Sequence, residues 1–207
     1  MSGSLTRWWW IRHAPVTADG GRIYGQMDLP ADCSDVPAFR RLARQLPPAA
    51  VLLTSHLQRT HQTADGLRAG GAVLDEAQIE PELCEQHFGD WQGEDRATVF
   101  REQAEWHGFW LAPAETAPPG GESFVDLLAR VSTTIDRLTG EHAGRNIVAV
   151  AHGGTIRAAL CHALDMEPAR ALSFSVDNLS LTRIDHIDGG KHGRGWRVAA
   201  VNFVPPA

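Results

Sequence analysis

The nine residues 147–155, IVAVAHGGT, decide the fold class, because an apolar run ends in a histidine and two glycines. Five apolar residues without polar alternation are typical of a strand that helices cover on both faces. The two glycines mark a tight turn, and residues 155–164 continue with a helical pattern. A strand that passes through a turn into a helix is the unit from which α/β sheets are built.

Similar elements lie along the rest of the chain. Residues 8–11 and 51–54 are two further apolar runs, and residues 179–184 and 196–203 are predicted to form late strands. Apolar residues recur at helical spacing over residues 36–46 and 122–138. This alternation predicts a three-layer α/β/α fold around a mostly parallel central sheet.

The composition excludes several classes of protein. With 207 residues, of which 43% are hydrophobic and 21% charged, the chain fits one globular domain over residues 1–207 rather than a disordered or fibrous protein. The net charge of −6 argues against a protein that coats nucleic acid or an anionic membrane. Three cysteines without a CxxC pair, and no apolar stretch for a signal peptide or membrane span, predict a cytoplasmic chain.

Residues 81–121 interrupt the regular alternation and are rich in tryptophan, glycine and glutamate. Excursions of this length in compact domains usually serve a function. We therefore expect a cap or lid over one end of the sheet, with a helix over residues 96–106.

Residues suited to binding an anion follow three of the predicted strands. They are Arg12-His13 after the first strand, Ser55 and Arg59 after the second, and His152-Gly153-Gly154 after residues 147–151. In open α/β sheets, ligands bind beyond the carboxyl ends of the strands. Arginine forks match phosphate oxygens, backbone N–H groups at a helix start attract anions, and histidine is neutral and nucleophilic near neutral pH. Together, the three strand ends predict a site for a phosphoryl group.

Each of these residues alone has a plainer explanation. A histidine at a strand end is more often part of the scaffold, an arginine is more often exposed or ion-paired, and a glycine pair marks a turn. Their combination at three strand ends makes chance an unattractive explanation.

Five motifs occur in a fixed order along the chain. They are Arg12-His13, Ser55-x-Leu57-x-Arg59-x-x-x-Thr63-Ala64, Leu83-x-Glu85-x-x-Phe88-Gly89-x-Trp91-x-Gly93, Gly121-Glu122-Ser123 and Ala151-His152-Gly153-Gly154. In this order they resemble the histidine phosphatase superfamily, with its phosphoglycerate mutase-like fold, over about residues 8–184.

The resemblance implies a role for each matching residue. His13 is expected to be the nucleophile, and Glu85 the acid that protonates the leaving alcohol and then activates water. The residues expected to bind the phosphate are Arg12, Arg59, His152 and Gly153. No cofactor and no metal ion are implied, and the expected partner is a small phosphorylated substrate rather than nucleic acid or a membrane.

The chain departs from the family pattern directly after His13. Ala14 stands where the family usually has glycine, so a positive φ at this position would strain the backbone. Pro15, Val16 and Asp19 stand at positions where polar residues help to hold the substrate in many members.

Residues 21–30, GRIYGQMDLP, resemble a stretch of the α-ribazole phosphatases. Tyr24, Gly25 and Gln26 are therefore candidate residues of a substrate loop. A turn that leads into a helix explains Gly25 and Pro30 equally well.

The sequence therefore predicts a metal-independent phosphomonoesterase that acts through a phosphohistidine at His13, and two alternatives stay open. A mutase of the phosphoglycerate mutase type would return the phosphoryl group to its substrate, but residues 106–115 carry neither Lys nor Arg to hold a second anion. A phosphate-binding module without turnover is the other alternative, and Ala14 motivates it. The oligomeric state is open too, with a homodimer among the choices.

Overall fold

The computed structural model describes residues 4–102, 113–189 and 195–206. The strands in these ranges are β1 (Leu5–Arg12), β2 (Ala50–Thr54), β3 (Leu74–Ile79), β4 (Asn146–Ala151), β5 (Leu181–Ile187) and β6 (Trp196–Phe203). The helices are α1 (Val36–Ala43), α2 (Gln58–Ala69), α3 (Arg96–Glu102), α4 (Phe124–Glu141), α5 (Gly153–Leu164) and α6 (Pro168–Ala171).

The strands form one mixed sheet in the order β3-β2-β4-β1-β5-β6. The first four strands of this order are parallel, whereas β5 and β6 run antiparallel to their neighbours. Arg12 pairs with Ala151 and Thr54 pairs with Val150, so β1, β2 and β4 finish side by side. The prediction of a mostly parallel α/β sheet is confirmed. Its register places the carboxyl ends of β1, β2 and β4 next to one another.

Helices cover both faces of the sheet, because successive side chains of a strand point to opposite sides. On one face, Trp8 and Trp10 stack with ring centroids 4.9 Å apart and pack against apolar side chains of α4 and α5. On the other face, Ile11 packs in a second core with Phe39 of α1 and Leu67 of α2. This is the three-layer arrangement that the sequence predicts.

α4 begins at a capping box. The Ser123 hydroxyl accepts the backbone N–H of Asp126, and the Asp126 carboxylate accepts the backbone N–H of Ser123. These bonds satisfy two of the donors that a helix start leaves without partners. The cap fixes where α4 begins, so that Arg130, two turns further on, faces the chain around Glu82.

Two strands differ from the sequence prediction, and one predicted helix is described only in part. The apolar patterns miss β3, because its sequence LDEAQI has no apolar run and it lies half-exposed at the sheet edge. β5 begins at Leu181, since Leu179 has a φ of 56° and turns the chain. The described part of the helix expected over residues 96–106 is α3, and its remainder lies outside the described residues.

The described part of residues 81–121 contains α3 and two short 3₁₀ turns, Pro81–Leu83 and Gly89–Trp91. Phe88 packs with Ile23 and Val99 in a small apolar cluster of its own. The function of this segment as a lid stays a prediction.

None of the helices in the described ranges is both long and apolar enough to cross a membrane.

Candidate active site

The carboxyl ends of β1, β2 and β4 bring His13, Arg59 and His152 together. The ring centroids of His13 and His152 lie 5.2 Å apart, and the Nε of Arg59 lies 3.3 Å from the Nδ1 of His152. All three side chains are at most 1% exposed. Residues from three distant parts of the sequence therefore share one buried site, as the sequence predicts.

His13 is held in one tautomer by the backbone carbonyl of the next residue, Ala14. Its Nδ1 lies 2.7 Å from the carbonyl oxygen of Ala14, and a carbonyl only accepts, so Nδ1 carries the proton and Nε2 the lone pair. Burial, together with the charges of Arg59 and Arg12, lowers the pKa of His13 to about 3. The ring is therefore neutral at neutral pH, and its Nε2 is nucleophilic.

The backbone of His13 is fixed from two sides. Its N–H donates to the carbonyl of Ala151 over 3.0 Å, and its carbonyl accepts from the Asn178 side chain over 2.8 Å. One bond comes from β4 and the other from the turn before β5, so together they fix the backbone that carries the imidazole. Asn178 is a residue that the sequence analysis does not single out.

His152 is the N-cap residue of α5 and is fully buried. Its Nδ1 accepts the Nε–H of Arg59, so the neutral ring carries its proton on Nε2, which donates to the Ser55 hydroxyl over 2.8 Å. Burial and the nearby charge of Arg59 hold the pKa of His152 well below its usual range. The site therefore contains two neutral imidazoles.

Arg59 brings a buried positive charge to these rings. Its NH1 donates to the Met27 carbonyl over 2.8 Å and its NH2 to the Gly25 carbonyl over 2.6 Å. Each terminal nitrogen carries two N–H groups, so with respect to the described residues one donor remains on each. Its Cζ also lies 5.1 Å from the ring centroid of Tyr24, a cation–π distance.

Arg12 adds a second guanidinium. Its NH1 donates to the Val176 carbonyl over 2.6 Å, while its Nε is buried without a hydrogen-bond partner among the described residues. A methyl group on Gly153 would lie 3.7 Å from this Nε. A buried donor without a partner costs free energy, which an anion at this position would recover.

The Glu85 carboxylate lies at the N-terminus of α5. Its Oε1 accepts the backbone N–H of Gly154 over 3.0 Å and that of Gln86 over 2.9 Å, while Oε2 lies 3.3 Å from the Gly154 nitrogen. A methyl group on Gly154 would overlap Oε1. Glycine at this position therefore lets the carboxylate approach the helix start directly.

The three candidate substrate-loop residues line the same site. Tyr24 lies edge-on to His13, with ring centroids 6.4 Å apart. Gly25 has a φ of 42°, and its carbonyl accepts from Arg59. The Gln26 side-chain amide donates to the Glu85 carbonyl over 2.8 Å. This loop thus connects Arg59 to the segment that carries Glu85.

Ala14 does not have the positive φ that would strain its backbone. It is fully buried, and its N–H donates to the Thr63 hydroxyl over 2.8 Å. The methyl group packs in the core beside α1 and α2, and the backbone of this position does not need glycine.

Arg157 is a further guanidinium that the sequence analysis misses. Its Nε donates to the Phe174 carbonyl over 2.9 Å, and a methyl group on Gly153 would lie 3.1 Å from its NH1. Burial lowers the pKa of Arg157 to about 10, with Glu85 opposing and Arg12 adding to the shift. The signal for it was its place one helical turn after Gly153, on the helix that starts at the site.

In the described ranges no group of three or more His, Cys, Asp or Glu side chains is arranged to hold a metal ion.

The family of the chain follows from its sequence and structure together. Residues 8–199 match the model of the histidine phosphatase superfamily (branch 1). The chain belongs to this family, and the resemblance carried by the five motifs is confirmed.

Several relatives are phosphatases with named substrates. An adenosylcobalamin/alpha-ribazole phosphatase of Salmonella typhimurium is 29% identical over 187 residues, which cover 88% of this chain and 92% of that protein. A glucosyl-3-phosphoglycerate phosphatase of Mycolicibacterium vanbaalenii is 34% identical over 184 residues, covering 81% and 75%. These relatives support phosphatase activity.

A third relative is longer than this chain. A bifunctional protein of Mycobacterium tuberculosis is 35% identical over 186 residues, which cover 87% of this chain. The chain spans about half of that relative's length, 50%.

Solved structures confirm the phosphoglycerate mutase-like α/β fold. Mycobacterial hydrolase 2 superposes with a TM-score of 0.81 at 27% identity, covering 98% of this chain and 93% of that one. A putative alpha-ribazole-5'-P phosphatase from Escherichia coli superposes with a TM-score of 0.77 at 27% identity, covering 98% of both chains.

Proposed function

We propose that the protein is a metal-independent phosphomonoesterase that hydrolyses a small phosphorylated metabolite through a phosphohistidine at His13. One observation carries this proposal: the lone pair of neutral His13 is on Nε2, in a site that Arg12 and Arg59 make positive. Two guanidiniums balance the charge of a phosphate dianion, so phosphoryl transfer here needs no metal ion.

In the first step, Nε2 of His13 forms a bond to phosphorus as the P–O bond of the ester breaks. Glu85 donates a proton to the departing oxygen, which leaves as an alcohol. Because Oε1 of Glu85 accepts both short backbone hydrogen bonds, Oε2 is the oxygen that carries this proton.

In the second step, Glu85 takes a proton from water, and the water oxygen bonds to phosphorus as the P–N bond breaks. Inorganic phosphate is released, and His13 and Glu85 return to their starting states. Water and ester have then become alcohol and phosphate, and no other reactant is consumed.

His152 binds a phosphate oxygen in this mechanism by changing tautomer. In the structure Nδ1 of His152 accepts a hydrogen bond from Arg59, whereas a bound phosphate oxygen would accept the Arg59 donor and a hydrogen bond from Nδ1–H of His152. The Ser55 hydroxyl both donates and accepts, so it pairs with Nε2 in either tautomer.

α-Ribazole 5'-phosphate is the first substrate to test. The stretch of residues 21–30 that suggests it supplies Tyr24 beside His13 and Gln26 beside Glu85. Glucosyl-3-phosphoglycerate is the second, because it carries a carboxylate as well as a phosphate and Arg157 adds a cation close to Arg12 and Gly153.

We also propose that the described part of residues 81–121 caps the site of a single catalytic domain over residues 1–207, since Glu85 of this segment accepts the backbone N–H of Gly154 in α5. The free thiols of Cys33, Cys84 and Cys161 favour the cytoplasm.

The test is release of phosphate from p-nitrophenyl phosphate and from a panel with both candidate substrates and 3-phosphoglycerate, with EDTA present. Wild type is expected to release phosphate steadily, His13→Ala to lose this activity, and His61→Ala, on α2 outside the site, to keep it. An isomerised product without free phosphate would favour a mutase. Phosphate binding without turnover in both wild type and His13→Ala would favour a binding module.

A further inference from the structure

Arg130 of α4 uses all five of its N–H donors. Its Nε donates to Oε2 of Glu122 over 3.0 Å and its NH2 to Oε1 over 2.7 Å. Its remaining donors bind main-chain carbonyls of Glu82, Cys84 and Glu85, at 2.6, 3.1 and 3.0 Å. A guanidinium has five N–H groups, so the side chain is fully engaged.

These carbonyls belong to the segment that ends in Glu85. The Thr155 hydroxyl of α5 donates to the Cys84 carbonyl over 2.8 Å, and Gln26 donates to the Glu85 carbonyl. Arg130 is the one of these three side chains that binds both ends of the segment, Glu82 and Glu85. The segment forms only a short 3₁₀ turn, Pro81–Leu83, so hydrogen bonds from outside it decide its position.

Glu122 anchors the other side of the guanidinium. It directly precedes the capping residue Ser123 of α4, and its Oε1 also accepts the backbone N–H of His87 over 2.9 Å. Only 18% of the Arg130 side chain and 19% of the Glu122 side chain is exposed. A largely buried, bidentate pair holds its geometry better than a surface ion pair.

We propose that the Arg130–Glu122 ion pair positions the Glu85 carboxyl for proton transfer to the leaving alcohol. This inference rests on the proposed function, in which Glu85 is the acid. Arg130 touches main-chain atoms of the Glu85 segment and no reacting atom, so it is a positioning residue. This proposal gives the Gly121-Glu122-Ser123 motif a role, whereas the phosphate chemistry gives it none.

If Arg130 positions the acid, the loss of activity in its variants depends on the leaving group; if Arg130 is merely structural, the loss does not. A poor leaving group such as an alkoxide needs a proton from Glu85, whereas p-nitrophenolate departs with far less assistance. Misplacing the acid by about 1 Å costs on the order of 100-fold in rate where that proton matters. General loss of structure would lower activity on both kinds of ester alike.

The experiment compares kcat/KM for p-nitrophenyl phosphate and for a simple alkyl phosphate in wild type, Arg130→Gln, Arg130→Lys and Glu85→Gln. The matched control is Arg145→Gln, which removes an ion pair between two exposed side chains, Arg145 and Asp75. We expect Arg130→Gln to lose about 10- to 100-fold on the alkyl ester but less than about 3-fold on the aryl ester. Arg130→Lys is expected to recover part of the loss, and Arg145→Gln to show none.

Glu122→Gln, measured in the same way, keeps the test decisive if Arg130→Gln does not fold. Equal losses on both esters, or no loss, in folded Arg130→Gln and Glu122→Gln would overturn the inference. Glu85→Gln separates this failure from failure of the proposed function. If Glu85→Gln shows the leaving-group effect and the other variants do not, only the positioning role is wrong. If Glu85→Gln shows no such effect, Glu85 is not the acid and both proposals fall.

Discussion

The Ser55 hydroxyl and the Nε2 of His152 lie 2.8 Å apart in a site where both residues are fully buried. This hydrogen bond gives a partner to Nε2, whereas Nδ1 is the ring nitrogen that faces Arg59. A buried ring nitrogen without a partner costs free energy, so Ser55 stabilises His152 as well as allowing it to change tautomer.

Ser55→Ala is expected to lower stability by about 1–3 kcal/mol, because Nε2 of His152 loses its partner. kcat/KM for p-nitrophenyl phosphate is expected to fall about 10-fold, which is about 1.4 kcal/mol of transition-state stabilisation. Ser180→Ala is the control, since the Ser180 hydroxyl is buried without a partner among the described residues. Urea unfolding and steady-state kinetics test both variants, and equal effects of the two substitutions would contradict this role of Ser55.

The titration of His13 predicts a dependence of stability on pH. An unfolded histidine binds a proton near pH 6.5, whereas folded His13 has a pKa of about 3. Between these values the unfolded state binds more protons, so the contribution of His13 to stability is present above pH 6.5 and is lost as the pH falls. From pH 7.5 to pH 5 this loss amounts to about 2 kcal/mol.

His13→Asn removes this titrating group. The difference in unfolding free energy between pH 7.5 and pH 5, measured by urea unfolding, is expected to shrink by about 2 kcal/mol in the variant. An unchanged difference would mean that His13 has a nearly normal pKa in the folded protein.

Gly154→Ala tests the contact between α5 and the acid. The added methyl group would overlap Oε1 of Glu85, so the carboxylate has to move. We expect kcat/KM for an alkyl phosphate to fall about 10- to 100-fold. Gly140→Ala in α4 is the matched control, because a methyl group there meets open space and favours the helix by about 1 kcal/mol. Full activity of Gly154→Ala would show that Glu85 does not act from this position.

Ala14→Gly tests whether the departure from the family pattern limits activity. Ala14 has no positive φ and packs in the core, so glycine offers the backbone no relief. The substitution is expected to lower stability by about 1 kcal/mol and to leave kcat/KM for p-nitrophenyl phosphate within about 3-fold. A tenfold gain in activity would show that the methyl group obstructs the nucleophile.

The central part of the site could be predicted from the sequence because the sheet topology brings its residues together. His13 and His152 each follow an apolar strand, and parallel strands with aligned ends bring the residues after them together. The hydrogen bond between the Ala14 N–H and the Thr63 hydroxyl joins residues 49 positions apart, and sequence spacing does not reveal it. The edge strand β3 has no apolar run, so periodicity gives no signal for it.

The surroundings of Glu85 illustrate the limit of such reasoning. The motif identifies Glu85, but hydrogen bonds from Arg130 and Gly154 determine its position, and these come from helices that start far away in the chain. Arg157 is half-buried one helical turn beyond Gly153, and only this spacing on α5 indicates that it lies near the site.

The covalent intermediate offers the most direct test of the account. Wild-type protein is mixed with excess p-nitrophenyl phosphate, quenched within milliseconds in alkali, which preserves phosphohistidine, and then digested for mass spectrometry. We expect one phosphoryl group on the peptide that contains His13, and none in His13→Ala. Steady hydrolysis with no phosphoryl group on any histidine, or with the group on His152 instead, would contradict the account.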